Sequence, residues 1–102
     1  TCYARPAKES SPTSASLVAV LARAYAKEDF VVVGQQIPST KATFGTNVTQ
    51  LTARFDERTG YVVVLAALDN LAKGASGGAV QAANVALGFP EDSSLSKVGM
   101  FP

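Results

Sequence analysis

Residues 47–68 constrain the fold more than any other part of this chain, because two strand-like runs flank a short turn sequence. Over residues 47–56, Thr49, Leu51, Ala53 and Phe55 alternate with Gln50, Thr52 and Arg54, the pattern of a half-buried strand. Residues 61–68 hold three consecutive valines and no breaker. With alternation absent, that run reads as a strand buried on both faces or nearly so. Between them lies Asp56-Glu57-Arg58-Thr59-Gly60. Gly60 supplies the positive φ that a longer hairpin loop commonly needs, so the two runs are expected to pair antiparallel.

The flanking segments add two helices and two short strands. Residues 1–5 read as a strand and 6–12 as a polar loop. A helix follows with Ser11 as N-cap and Pro12 at the first helical position, placing Leu17, Val18, Leu21 and Tyr25 on one face. Residues 30–33 form a strand candidate ended by Gly34, and 35–46, with Pro38 and Gly45 and no periodicity, form a long loop of the kind that often carries function. Residues 71–87 read as a second helix, stopped by Gly88 as a left-handed cap with Pro90 beyond. The order β-α-β-β-β-α implies an α+β layer: an antiparallel or mixed sheet with helices on one face. The opposite sheet face is then a candidate for pairing with another subunit.

Composition limits the functional classes. The chain has 102 residues, enough for one core and too few for two domains. Nine Lys and Arg face eight Asp and Glu with no basic cluster, which leaves no footprint for nucleic acid. No apolar run approaches the ~20 residues needed to span a bilayer. The single Cys2 excludes an intramolecular disulfide. Histidine is absent, so no imidazole acid or base lies within these residues.

The chemistry-bearing stretch begins where the fourth strand candidate ends. Asn70 sits at that carboxyl end, and its side chain donates and accepts at once, which suits a carboxamide ligand. Next, Lys73-Gly74-Ala75-Ser76-Gly77-Gly78 removes side-chain bulk and lets a ligand or strand approach the backbone. A Lys beside free helix-start N–H groups also favours anions. Two familiar phosphate motifs are excluded. A Walker loop places its Lys after the last glycine, whereas Lys73 precedes all three, and Gly74, Gly77 and Gly78 lack the G-x-G-x-x-G spacing. Asn47-Val48-Thr49 spells a glycosylation acceptor, but it opens a strand and is read as accidental.

The phrase Leu68-Asp69-Asn70-Leu71-Ala72-Lys73-Gly74-Ala75-Ser76-Gly77-Gly78-Ala79-Val80-Gln81-Ala82-Ala83-Asn84 closely resembles the C-terminal helix segment of N-acetyl-gamma-glutamyl-phosphate reductases. Pro38-Ser39-Thr40-Lys41 followed by Gly45-Thr46-Asn47 resembles the family's P-x-T-K loop and G-S-N, with Thr46 in place of the usual Ser. The hairpin residues 56–60, the strand entry at 25–33 and Leu87-Gly88-Phe89-Pro90-Glu91 are similar to the family in the same order, so the resemblance covers nearly the whole chain.

The resemblance implies a C-terminal substrate and dimerisation domain like that of semialdehyde-dehydrogenase-like enzymes, cytoplasmic and serving arginine biosynthesis. Such enzymes reduce an acyl phosphate, here N-acetyl-glutamyl phosphate, to a semialdehyde with NADPH held mainly in an N-terminal Rossmann domain. That domain has no counterpart in residues 1–102, and Thr1 is not an initiator methionine, so the chain is expected to be a C-terminal piece, inactive alone. By matching positions, Asn70 faces the nicotinamide carboxamide, Lys73 and Gly74 are cofactor-side candidates, and Lys41 meets the anionic substrate. No catalytic residue and no metal ligand are implied. Cys2-Tyr3-Ala4 superficially matches the context of the family's nucleophile, but Thr1 stands where that context has Gly, and a structural cysteine is expected. A homo-oligomer through the sheet face is implied as well. Two other readings remain: an autonomous α+β binding or assembly module, and the equivalent part of an aspartate-semialdehyde dehydrogenase, which the Thr40-Lys41 loop fits less well.

Overall fold

In the computed structural model, which describes residues 1–100, the hairpin turn hinges on Gly60 at φ +71°. Its N–H donates to Asp56 O (2.7 Å), as does that of Thr59 (3.2 Å). Asp56 Oδ1 accepts from Arg58 N (3.1 Å) and Oδ2 from the Thr59 hydroxyl (2.7 Å), so the aspartate organises the turn it opens. The turn joins β3 (Thr49–Asp56) to β4 (Tyr61–Leu68), antiparallel from Asp56↔Tyr61 to Thr49↔Leu68. β1 (Cys2–Ala4) adds antiparallel to β4, with Tyr3 opposite Val63. β2 (Val31–Val33) adds parallel to β3, with Val32 opposite Gln50. The result is a mixed four-stranded sheet in the order β1-β4-β3-β2.

Helix α1 (Ser14–Ala24) crosses β3 and touches β2. Its N-cap is Thr13 and not Ser11. Thr13 Oγ1 accepts from Ser16 N (3.1 Å) while Ser16 Oγ accepts from Thr13 N (2.9 Å), a reciprocal box that satisfies two donors and leaves Pro12 outside the helix. Ser14 Oγ accepts from Phe55 N (3.0 Å), which fixes the helix start to the edge of β3 beyond the end of β2. Leu17, Val18 and Leu21 are half-buried, whereas Tyr25 is exposed at the C-cap.

The second helical segment departs from one continuous helix over 71–87. Residues Ala72–Ser76 form a π-helical turn, and α2 runs Gly77–Leu87. The wide turn is built from bonds five residues apart: Gly74 N to Asp69 O (2.9 Å), Ser76 N to Leu71 O (3.0 Å) and Gly77 N to Ala72 O. Gly88, at φ +75°, ends α2 as a left-handed cap. Among the elements, α2 packs chiefly on the π turn, so α1 is the main cover of the sheet.

Burial differs from the strand patterns in two places. In β3 the neighbours Thr52 and Ala53 are both fully buried, where clean alternation would leave one exposed. Arg54 accounts for this by folding over its own strand, donating from Nη1 to Thr52 Oγ1 (3.0 Å) and Ala53 O (2.9 Å) and from Nη2 to Gln35 O. In β4, Val62 and Ala67 are buried while Ala66 and Leu68 are exposed, so the run is less covered than its valines suggest. The core contains Phe30, Val48, Ala53, Val62 and Ala67 together with Thr43, Thr46, Asn47, Thr52 and Asn84. Exposed large apolar side chains include Tyr3 and Val32 on the sheet and Val85, Leu87 and Phe89 at the end of α2. Among the described residues no helix is long and apolar enough to cross a membrane.

A Cβ added at Gly60 would meet nothing within 4 Å, so Gly60→Ala tests backbone conformation alone. Equilibrium unfolding is expected to show a loss of about 1–2 kcal/mol, the left-handed penalty of a residue with a Cβ. Gly34, where an added Cβ also meets nothing and φ is not left-handed, should tolerate Ala with little change.

Candidate functional site

The loop between β2 and β3 runs into the body of the protein, where Thr43, Thr46 and Asn47 are buried. A buried loop must satisfy its own polar groups. Thr43 Oγ1 donates to Thr40 O (3.1 Å) and Thr46 Oγ1 to Thr43 O (2.8 Å), and Thr46 Oγ1 also accepts from Val48 N (3.1 Å). The C-terminal tail takes over two more groups: Asn47 N donates to Ser96 O (2.9 Å) and Met100 N to Phe44 O (3.1 Å). Met100 lies against Gly45, where a Cβ would come within 2.7 Å of its Cε; Gly45 also has φ +74°.

The remaining loop donor meets Asp69, the residue that leaves β4. Gly45 N–H donates to Asp69 Oδ2 (2.6 Å), while Asp69 Oδ1 accepts from Leu71 N (2.7 Å) and Ala72 N (3.0 Å). One carboxylate thus holds the loop on one oxygen and opens the π turn with the other. These amides, Gly45 foremost, then Ala72 and Leu71, hold the Asp69 carboxyl below its ordinary pKa, because charge-assisted bonds favour the ionised form. Sequence reasoning left the N–H groups at this helix start free for an anion. They are occupied by Asp69, and the turn is π-helical where the anion argument assumes an α-helix.

Asn70 is exposed, and Asp69, not Asn70, caps the turn. A Cβ on Gly74 would come within 3.3 Å of Asn70 Oδ1, so this glycine lets the amide lie close to the backbone. Lys73 turns inward. Its Nζ donates to Gln81 Oε1 and stands 5.4 Å from the centre of the Phe30 ring, over its face. Gln81 Oε1 also accepts from Asn47 Nδ2 (2.8 Å), and Gln81 Nε2 donates to Glu91 Oε1. Asn47 Oδ1 is the one buried side-chain polar atom without a hydrogen-bond partner among the described residues. It rests on Gly77, where an added Cβ would fall on it and stand 2.9 Å from Ala72 O.

Two cavities adjoin these groups. One, of about 310 Å³, lies between the loop and the π turn and is bordered by Gly45, Thr46, Asn47, Ala72 and Gly77. The other, of about 510 Å³, runs along α2 past Lys73, Gln81, Val85 and Glu91. Asn70, Lys73 and Gly74 therefore share one turn, and Asp69 ties the Lys41 loop to it. Lys41 itself is exposed. The sequence offers Asp69, like Asn70, as a cap for the second helix, and Asp69 takes that role; its hold on Gly45, and the parts played by Asn47 and Gln81, escaped the sequence reading. Cys2 is an exposed residue of the edge strand β1, and Asn47, being buried, cannot accept a glycan. No group of three or more metal-ligating side chains gathers among the described residues.

Comparison with known proteins shows what the chain is similar to. Residues 1–70 match the family model described as semialdehyde dehydrogenase, dimerisation domain. Across 104 aligned residues, covering 100% of this chain and 30% of the relative, the chain is 48% identical to a protein of Acidothermus cellulolyticus named N-acetyl-gamma-glutamyl-phosphate reductase. Proteins of the same name from Micrococcus luteus (50% identical, 87% of this chain, 26% of the relative) and Thermus thermophilus (49%, 85% and 25%) are also similar. The chain thus spans under a third of the length of the curated relatives it matches, corresponding to their C-terminal part.

Two outcomes test the site geometry. Because the folded-state pKa of Asp69 is depressed, its contribution is present above the ordinary value of 3.8 and is lost as pH falls through the folded pKa. The Gly45 and Leu71 amide resonances should titrate together with one apparent midpoint below 3.8. Gly77→Ala should destabilise the protein by about 1–3 kcal/mol through overpacking against Asn47 and Ala72, read by chemical denaturation.

Proposed function

Since the chain belongs to the semialdehyde dehydrogenase family through its dimerisation domain, we propose that it forms the C-terminal part of an NADP-dependent N-acetyl-gamma-glutamyl-phosphate reductase. The observation that carries this reading is the 48% identity to a reductase of that name along the full length of the chain. The whole enzyme converts the acyl phosphate to the semialdehyde in arginine biosynthesis, in the cytoplasm. NADPH supplies the hydride, held mainly by a dinucleotide domain outside residues 1–102.

Within this part, Asn70 orients the nicotinamide. Its exposed amide is not consumed in capping the turn, and a planar carboxamide can pair with it in both directions. Gly74 admits that group close to the backbone, and Lys73 supports the same turn through Gln81. Lys41 meets the phosphate or carboxylates of the substrate from an exposed position in its loop. Copies associate through the sheet face into a homo-oligomer, the role named by the family description. With no histidine among its 102 residues, the isolated part has no imidazole for acid/base work and is inactive as a reductase.

Steady-state kinetics of the full-length enzyme test the assignment. Asn70→Ala is expected to raise the KM for NADPH or lower kcat about five- to tenfold, the loss of a hydrogen bond worth ~1 kcal/mol, with unchanged thermal stability. Reduced stability with unaltered kinetics would assign Asn70 a structural role instead.

A further inference from the structure

The Lys41 loop and the Asn70 turn lie far apart in the chain, and the Asp69 side chain bonds the backbone of both; Asn47 adds a link through Gln81 to Lys73. Gly45, four residues after Lys41, donates to Asp69 Oδ2 (2.6 Å), while Asp69 Oδ1 holds Leu71 N and Ala72 N at the start of the turn. Asp69 directly precedes Asn70. Its two oxygens are thus divided, one to each segment. The loop has a second anchor on its other flank, where the C-terminal tail bonds Phe44 O (3.1 Å) and Asn47 N (2.9 Å). The tail can keep the loop folded without Asp69, but it reaches the Asn70 turn only indirectly, through Glu91, Gln81 and Lys73, and does not bond Leu71 N or Ala72 N.

We propose that Asp69 is a positioning residue that locks the Lys41 loop to the Asn70 turn, so that the substrate-anion contact and the nicotinamide contact are presented as one rigid unit. The substrate it names rests on the reductase reading above. An aspartate suits this task because an ionised carboxylate accepts on both oxygens at once. An asparagine in the same place still accepts from Leu71 and Ala72 on its oxygen but turns a donor toward the Gly45 N–H, so the loop arm alone is broken. A serine keeps a capping oxygen for the turn and is too short to reach Gly45.

The test uses the full-length enzyme with Asp69→Asn, Asp69→Ser, Lys41→Ala and the double variant Asp69→Asn/Lys41→Ala. Hydrogen exchange by mass spectrometry reads the lock without reference to activity: both Asp69 variants should speed exchange in the peptide spanning residues 42–48 and leave β3 and β4 protected. Kinetically, Asp69→Asn should raise the KM for the acyl phosphate about tenfold with kcat within about twofold, the signature of lost ground-state positioning. In the Lys41→Ala background the same substitution should add less than about threefold, because residues acting through one contact are not additive. Unchanged exchange at residues 42–48 overturns the lock. So does a multiplicative effect of the two substitutions when Lys41→Ala by itself raises the KM, or a fall in kcat at constant KM. If Lys41→Ala leaves the KM untouched while exchange at 42–48 still rises in the Asp69 variants, the Lys41 assignment falls and the lock stands. If Asp69→Asn does not fold, Asp69→Ser carries the same readouts, and failure of both to fold overturns the claim that the tail holds the loop independently.

Discussion

The in-register pairing of β3 with β4 supports every other element of this protein. Eight residues of one strand face eight of the other, from Thr49↔Leu68 at one end to Asp56↔Tyr61 at the turn. β1 uses the free edge of β4, β2 lies along β3, and α1 is fastened to Phe55 N through Ser14. A slip of one residue would send every side chain of a strand to the opposite face. It would also carry Asp69, next after β4, away from Gly45. The geometry of the candidate site is therefore set at the far end of the hairpin, at Gly60, where the turn fixes the register.

Attached to that ribbon is a small core that is unusually polar. Thr43, Thr46, Asn47, Thr52 and Asn84 are buried alongside five apolar residues. Burying such groups is unfavourable unless each is paired, and nearly all are. Asn84 Nδ2 donates to Glu91 O (3.2 Å) and Ser93 O (3.0 Å), closing the tail onto α2. What a larger apolar core would do by area, this structure does by direction, since hydrogen bonds specify where a loop lies as hydrophobic contacts do not. The bare apolar residues at the end of α2 show the complementary side of that economy.

Local signals in the chain identified the strands well. Residues 61–68 form β4 with the same bounds, and Gly60 and Gly88 adopt the left-handed conformations that their positions demanded. Those features depend on neighbours in sequence, and a single chain displays them. The start of α1 lies two residues beyond the expected one because Ser11 and Thr13 both carry a capping hydroxyl with a Ser three positions on, and only the fold decides between them: Ser14 bonds Phe55 N, which leaves Ser16 to close the box with Thr13. The π turn was not legible at all: its wide bonds answer to Asp69 and to Asn47 pressing on Gly77, which lie outside the helical stretch. Likewise Asp69 reads from sequence as a candidate cap for the helix that follows, but its second bond is hidden until Gly45, 24 positions earlier, is brought to it. Of the candidate site, residue types were visible in sequence and their connections were not.

Gln81 illustrates how narrow such a connection can be. Its oxygen takes Lys73 and Asn47 while its nitrogen serves Glu91, which fixes the orientation of an amide whose two ends are otherwise interchangeable. The side chain works as a neutral spacer between opposite charges: Lys73 and Glu91 do not touch, yet each sees the end of a dipole that suits it. Glutamate there would satisfy Lys73 but set a second carboxylate against Glu91, and lysine would reverse the conflict. Leucine would match the size and leave both ions without a mediator. A half-buried helix position of ordinary composition is thereby suited to a neutral side chain that accepts at one end and donates at the other, between two partners that it bridges.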